Sequence, residues 1–457
     1  MASVTRRKAP WLPDVVAAQK RGEAKGVYSV CSANRFVLEA AMQQAKADSS
    51  AVCIEATSNQ VNVDGGYTGT TPAQFAAFIE EMARQVDFPT DRVLLGGDHL
   101  GPFPWADRDA RTAMSKASET VRQYVAAGFV KIHLDASMRC ADDPPGPLSD
   151  AAVTERAADL CAVAEAAKGD RSPSASLPLY VIGTEVPVPG GEQENPGHLA
   201  ATRVEDAQRT LALTQQAFRA RGLDDAWERV VGLVVQPGVE FGDATVFDYD
   251  RSQAALLKAF IESDPRIIFE AHSTDYQTGA ALGALVLDHF AILKVGPALT
   301  FAFREAVFAL AAIEEAWLGH RKGATVSRIR EVLEDVMVER PGHWRRYYHG
   351  DEDQTRVARR YSLSDRIRYY WAEPRVETAL TRLLQNLSTN PPPPSLVSQH
   401  APTPYGSVPM AAVAVDPREI IRRKVLEVTA TYAAACGCAA DAQRADDKMT
   451  PSSGRPH

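Results

Sequence analysis

The amino-acid sequence predicts an α/β fold, a (β/α)8 TIM barrel with a C-terminal helical extension. Three observations carry that expectation. Eight short apolar, β-branched segments recur along the chain, at 27–31, 51–55, 92–97, 129–135, 178–185, 229–236, 266–271 and 290–295. They read as continuous apolar runs, the pattern of strands buried on both faces of a parallel sheet covered by helices. Between them lie Ala/Glu/Arg-rich stretches of helical periodicity, at 72–86, 111–127, 151–168, 204–221 and 253–263. No G-x-G-x-x-G follows the first apolar segment, which argues for a closed barrel over an open dinucleotide-binding sheet and against a nucleotide cofactor.

The elements follow in order. Residues 1–25 form an N-terminal segment, 26–320 the barrel, 321–435 a helical extension packed on it, and 436–457 a polar tail expected to be disordered. The eighth barrel helix is expected at 300–317, and extension helices at 325–337, 375–387 and 417–434. The run 391–394, four prolines, reads as a stiff connector.

Composition limits the function classes. The 457-residue chain is 45% hydrophobic and 24% charged, with a net charge of −8. That balance suits a globular protein with a substantial core and disfavours nucleic acid or an anionic membrane surface as a partner. No run resembles a signal peptide or a membrane span, so a cytoplasmic location is expected. Six cysteines lie mostly in apolar or helical context and read as reduced core residues; Cys436-Gly437-Cys438 lacks the second Cys or His pair of a metal knuckle.

In a (β/α)8 barrel, chemistry is built at the C-terminal ends of the strands. In this sequence those ends are polar: Glu55 followed by Asn59 and Gln60, Asp98-His99 in "LLGGDHLGP", His133 and Asp135, Glu185, Gln236, His272 and Lys294. One buried histidine is ordinarily just hydrogen-bonded; a whole ring of ionisable groups at one pole is costly unless a metal or substrate satisfies it. Adjacent strand residues point to opposite sides. Asp98 and His99 can both face the site only if the strand has ended there, with Gly101-Pro102 making the turn.

The motifs "IEATSNQVNVDGGYTGTTPAQF", "GGDHLGPFPW", "AGFVKIHLDASMRCADDP", "YVIGTEVPVPGGE", "VVQPGVEF", "EAHSTDYQT" and "YSLSDRIRYYW" resemble the large Z-type subunit (GatZ/KbaZ-like) of class II D-tagatose-1,6-bisphosphate aldolase. The resemblance implies a (β/α)8 fold and a place in ketose catabolism, either supporting a catalytic Y-type subunit or acting as an enzyme that epimerises ketoses or their phosphates at C4. A more distant similarity to the catalytic class II aldolases implies roles. Asp98 would transfer a proton, with Asp135 and Glu185 as further catalytic acids. His99 and His272 would bind a divalent metal (Zn2+, Mn2+ or Mg2+) with Glu185 and, more weakly, Gln236. Glu55, Asn59, Gln60, His133 and Lys294 would contact substrate. In place of the phosphate-cradling loop after the last histidine stands Ser273-Thr274-Asp275-Tyr276, whose acid should repel phosphate. Arg366 and Arg368 could supply an anion site instead.

Two functions follow as expectations. The first is metal-dependent retro-aldol and aldol chemistry at C3–C4 of a ketose or ketose phosphate, most simply C4 epimerisation between fructose- and tagatose-type sugars. The second is a non-catalytic accessory role beside a class II aldolase Y-type subunit. A homo-oligomer is expected in either case. A kinase fits poorly, because no G-x-x-x-x-G-K-[ST] or protein-kinase signature is present.

Overall fold

Eight parallel strands close into a barrel in this computed structural model, which describes residues 11–170, 176–184, 199–401 and 416–438. The strands are β1 (Val27–Cys31), β2 (Val52–Thr57), β3 (Val93–Leu100), β4 (Lys131–Leu134), β5 (Leu179–Ile182), β6 (Val230–Val234), β9 (Ile268–Ala271) and β10 (Phe290–Val295). A short antiparallel hairpin, β7 (Glu240–Phe241) with β8 (Val246–Phe247), is inserted after β6. β10 pairs with β1 and closes the ring. Helix follows every barrel strand, from Arg35–Ala47 after β1 to Pro297–Leu318 after β10, with a short second helix, Asp224–Trp227, after β5.

Local sequence sets these helices. Asn34 accepts hydrogen bonds from the amides of Phe36 and Val37 and so starts the first. Thr71 and Gln74 form a capping box at Pro72–Gln85. Their buried faces, such as Val37, Leu38, Ala41, Met42 and Ala45, pack against the sheet as one continuous core.

The N-terminal segment does more than lead into the barrel. Its helix Trp11–Lys20 buries Leu12, Val15 and Val16 against Val27, Cys53, Leu94, Val181, Ile268 and Ile292, which fill one end of the barrel interior. Each of the three side chains contributes roughly 1.5–3 kcal/mol by leaving water. The far end of the chain is also tied to this region: Cys436 is buried and its carbonyl accepts a hydrogen bond from the Gly26 amide at 3.0 Å. The start of the expected disordered tail is therefore packed, while 439–457 lies outside the described residues.

The extension contains helices Ile329–Glu339, Glu352–Tyr361, Pro374–Thr389, Pro394–His400 and Pro417–Ala435. Two differences from expectation stand out. Glu352–Tyr361 was hidden by its polarity; it is held by an Asp351/Gln354 capping box and by ion pairs of Arg359 to Glu334 and Glu352. The proline run is not only a connector, because its last residue, Pro394, opens a helix, where a missing N–H costs nothing. The final helix packs against Arg35–Ala47, Gly279–Leu287 and Pro297–Leu318, among the barrel's own outer helices. All six cysteines are free. No helix among the described residues is long and apolar enough to cross a membrane.

Candidate active site

The site begins with an irregularity in β3. Its pairing with β4 slips between Gly97 and Leu100, and His99 takes a positive φ of 47°. A left-handed non-glycine residue costs of order 1–3 kcal/mol and persists only where its surroundings enforce it. The bulge re-aims the chain so that Asp98 and His99 both line one pocket. It lies inside the strand, which runs on to Leu100 and so corrects the expectation that the strand ends at Asp98-His99; the chain then bends at Gly101-Pro102. Gly101 also lets two strand ends approach, since a Cβ there would lie 1.6 Å from the Asp135 carbonyl oxygen and only glycine fits. Gly96 likewise leaves room for Glu55, whose Cγ would sit 2.6 Å from an added Cβ.

At the floor of the pocket five charges meet in the barrel interior, two of which, Asp98 and Lys294, line the pocket itself. Lys131 lies 2.7 Å from Glu55 and 2.6 Å from Glu270. Lys294 contacts Glu55 and lies 2.9 Å from Asp98 Oδ2. Burial opposes the charge on both lysines, yet the carboxylates outweigh it and hold both amines above their ordinary pKa. Burial would likewise raise Asp98, but His99, Lys294 and the hydrogen bond with His133 hold it well below the usual carboxylate range. Three carboxylates against two ammonium groups leave this layer one negative charge in excess.

Three histidines stand above that layer, with ring centroids 4.9–5.3 Å apart. Each meets a carboxylate: His99 Nδ1 with Asp135 at 2.7 Å, His133 Nδ1 with Asp98 at 2.9 Å, His272 Nε2 with Glu270 at 3.0 Å. Such pairing is how proteins orient imidazoles toward a metal. The His99 amide also approaches His133 Nδ1, at 3.2 Å. His133 Nε2 is buried without a hydrogen-bond partner among the described residues. His272 is pushed down to about 4 by burial, against its bond to Glu270, so it is neutral at physiological pH.

A divalent ion fits this donor set. Ligand atoms of Asp98, His133, Glu270 and His272 lie within 4.8 Å of one another. A second grouping of Cys31, Glu55 and Asp98 is comparably close, but it holds no imidazole and both its carboxylates pair with Lys294, which in the first group meets Asp98 and, at 3.9 Å, Glu270 while leaving the two histidines untouched. The imidazoles, the orphaned His133 nitrogen and the surplus negative charge favour the first group.

The pocket's outer wall comes from the extension. Asp243, in the β7–β8 hairpin, accepts hydrogen bonds from the Ser362 and Ser364 hydroxyls at 2.9 and 2.8 Å, and its carbonyl accepts from the Leu363 amide. Tyr276 donates to the Leu363 carbonyl, and Asp365 accepts from Thr300 at 2.7 Å. These ties bring Arg368 and Tyr369 to the pocket, where Tyr369 meets Tyr67 edge-on at 4.8 Å.

The sequence matches the family described as D-tagatose-1,6-bisphosphate aldolase subunit GatZ/KbaZ-like over residues 12–437. The chain belongs to this family. It is 45% identical to a probable tagatose 6-phosphate kinase from Sinorhizobium meliloti 1021, covering 90% of this chain and 100% of that one with a TM-score of 0.81. The YdjI aldolase from Escherichia coli K12 aligns at 12% identity over 83% and 94% of the two chains, with a TM-score of 0.39. A fructose-bisphosphate aldolase from Campylobacter jejuni aligns at 14% over 82% and 92%, with a TM-score of 0.42.

In this GatZ/KbaZ-like chain the expected site residues divide. Asp98, His99, His272, Lys294, Asn59, Gln60 and Arg368 line one pocket, with His133 and Asp135 hydrogen-bonded to its first two members. Glu55 is not among the pocket's lining residues: it is fully buried between Lys131 and Lys294. Gln236 is not among the pocket's lining residues, and its side-chain Oε1 accepts from the Gly238 and Val239 amides at 2.8 and 2.9 Å. Arg366 is buried over the Tyr347 ring and lines a neighbouring cavity, whose other walls include Arg346 and His343. Glu185 lies outside the described residues. His99 is not in the donor group formed by Asp98, His133, Glu270 and His272. Glu270 and Lys131 had no assigned role; a charged residue inside an otherwise apolar strand is the signal that points to them.

Proposed function

We propose that this chain is a metal-dependent enzyme that breaks and remakes the C3–C4 bond of a ketose or ketose phosphate, most simply as a C4 epimerase. The observation that carries the reading is Asp98, which lines the pocket, hydrogen-bonds His133 and sits within the group of metal-capable donors. A divalent ion held by His133 and His272, with Glu270 behind His272 and His99 beside it, would polarise the C2 carbonyl and C3 hydroxyl of a ketose.

Asp98 accepts the C4 hydroxyl proton as the C3–C4 bond breaks and returns it when the bond reforms. Lys294 keeps that carboxylate ionised. Asp135 fixes the His99 ring, and Ser137 fixes Asp135 through its amide at 3.0 Å and its hydroxyl at 2.6 Å. Asn59, Gln60, Tyr67, Arg368 and Tyr369 line the rest of the pocket and orient the sugar. Loss of the aldehyde after cleavage gives an aldolase; rotation and re-attack on its other face gives the C4 epimer.

The family description, which names an aldolase subunit, favours a second reading: an accessory role beside a catalytic Y-type partner. The experiment is to incubate the purified chain alone with D-fructose, D-tagatose and their phosphates, with Mn2+, Mg2+ or Zn2+. Turnover of any of them supports the enzyme. No turnover alone, with stimulation of an added Y-type aldolase that survives Asp98→Asn, moves the function to the accessory role.

A further inference from the structure

The N-terminus of a long helix is a ready phosphate site, because its first amides lack partners within the helix. The helix Pro297–Leu318 begins at the pocket: Gly296 and Pro297 are among the pocket's lining residues. All its opening amides are nevertheless accounted for. The N–H groups of Gly296 and Ala298 both donate to Asp275 Oδ1, at 3.0 and 2.8 Å. Pro297 has none, and those of Leu299 and Thr300 reach the Gly296 carbonyl at 3.1 and 3.3 Å. No donor of this first turn remains for an incoming anion.

Asp275 itself takes the anion's place. It is 3% exposed, lines the pocket, and its Oδ2 has no hydrogen-bond partner among the described residues. The lysine and the arginine of the same pocket are engaged elsewhere. Lys294 is paired with Glu55 and Asp98, and Arg368 donates to the Ser364 and Asp365 carbonyls and to the Tyr369 hydroxyl. A phosphate brought against this wall would meet a fixed carboxylate and no free backbone donor, whereas a sugar hydroxyl could donate to Asp275.

We infer that Asp275 is a built-in anion at the helix N-terminus that makes the pocket selective for a ketose whose end at this wall is a hydroxyl. The inference rests on the ketose reading above and narrows it. A ketose 1,6-bisphosphate carries phosphate at both ends, so it is excluded in either orientation; free ketoses and monophosphates are accepted.

Titration calorimetry on the metal-loaded full chain, with D-tagatose, D-tagatose 6-phosphate and D-tagatose 1,6-bisphosphate, tests this without requiring turnover. The bisphosphate is expected to bind at least tenfold more weakly than the better of the other two. Asp275→Asn keeps a side-chain cap on the helix and removes the charge, and it should narrow that ratio at least threefold. Asp275→Gly, which also frees the two amides, should narrow it further. Wild-type binding of the bisphosphate as tight as that of the monophosphate overturns the inference, as does an unchanged ratio in a folded Asp275→Asn. Selective binding without turnover on any ketose would leave the specificity standing and remove the C3–C4 chemistry. Binding of none of the three overturns both.

Discussion

Lys294 Nζ, on β10, lies 2.9 Å from Asp98 Oδ2, on β3, and ties the floor of the barrel to the carboxylate proposed as its base. Lys294 is also in contact with Glu55, so one ammonium serves two buried carboxylates. Removing it leaves Glu55 with Lys131 alone.

Lys294→Gln is therefore expected to act twice. Breaking one partner of a buried charge network costs roughly 3–5 kcal/mol, read as a large drop in melting temperature. In the protein that remains folded, the Asp98 pKa should climb, so the acid limb of the pH–rate profile moves upward. An unmoved limb would show that Lys294 supports the fold without tuning the base.

Asp98→Asn keeps the shape of the side chain and removes the proton acceptor. Turnover is expected to fall by ~10²- to 10⁴-fold. Bound metal, measured by elemental analysis of the purified protein, should stay within twofold of wild type. Loss of the metal would make Asp98 a ligand and leave the base to another group.

His133→Ala removes the buried nitrogen that has no partner among the described residues. Metal occupancy should collapse, while chelation of the wild-type protein should abolish turnover without unfolding it, because the barrel core is built from apolar contacts. Full occupancy in His133→Ala would refute the placement, and unfolding on chelation would make the ion structural.

The pH response of the metal-free protein has a definite sign. Burial opposes the charge of His99, but Asp98 and Asp135 outweigh it and raise its pKa above the ordinary value of 6.5. A raised histidine stabilises the fold fully below its unfolded pKa and loses that contribution as pH rises through the folded one. The chelated wild type should thus lose more melting temperature between pH 6 and pH 8.5 than His99→Gln does. Equal losses would show that the Asp135–His99 pair carries no net proton.

Much of the architecture is legible along the chain because it is local or periodic. Apolar runs at regular intervals announce the eight strands, and the polar endings of those runs single out Asp98, His99, His133, Asp135, His272 and Lys294 from the order of residues alone. The helix Glu352–Tyr361 escapes this reading because its stability comes from caps and ion pairs, not from an apolar stripe.

What escapes more deeply is partnership. Lys131 stands as a charge inside the apolar run 129–135, but only barrel closure sets it between Glu55 on β2 and Glu270 on β9. Asp275 reads as a repulsive charge in a loop, and only its approach to Gly296 and Ala298 makes it a helix cap facing a pocket. Arg366 and Arg368 are neighbours in sequence, yet Arg368 enters the site pocket and Arg366 a cavity beside it. Strand and helix identity follow from the period of side chains along the backbone, which each segment carries within itself. Charge pairing, pKa and the division of donors depend on distances between segments brought together only when β10 meets β1 and the extension is pinned across the mouth.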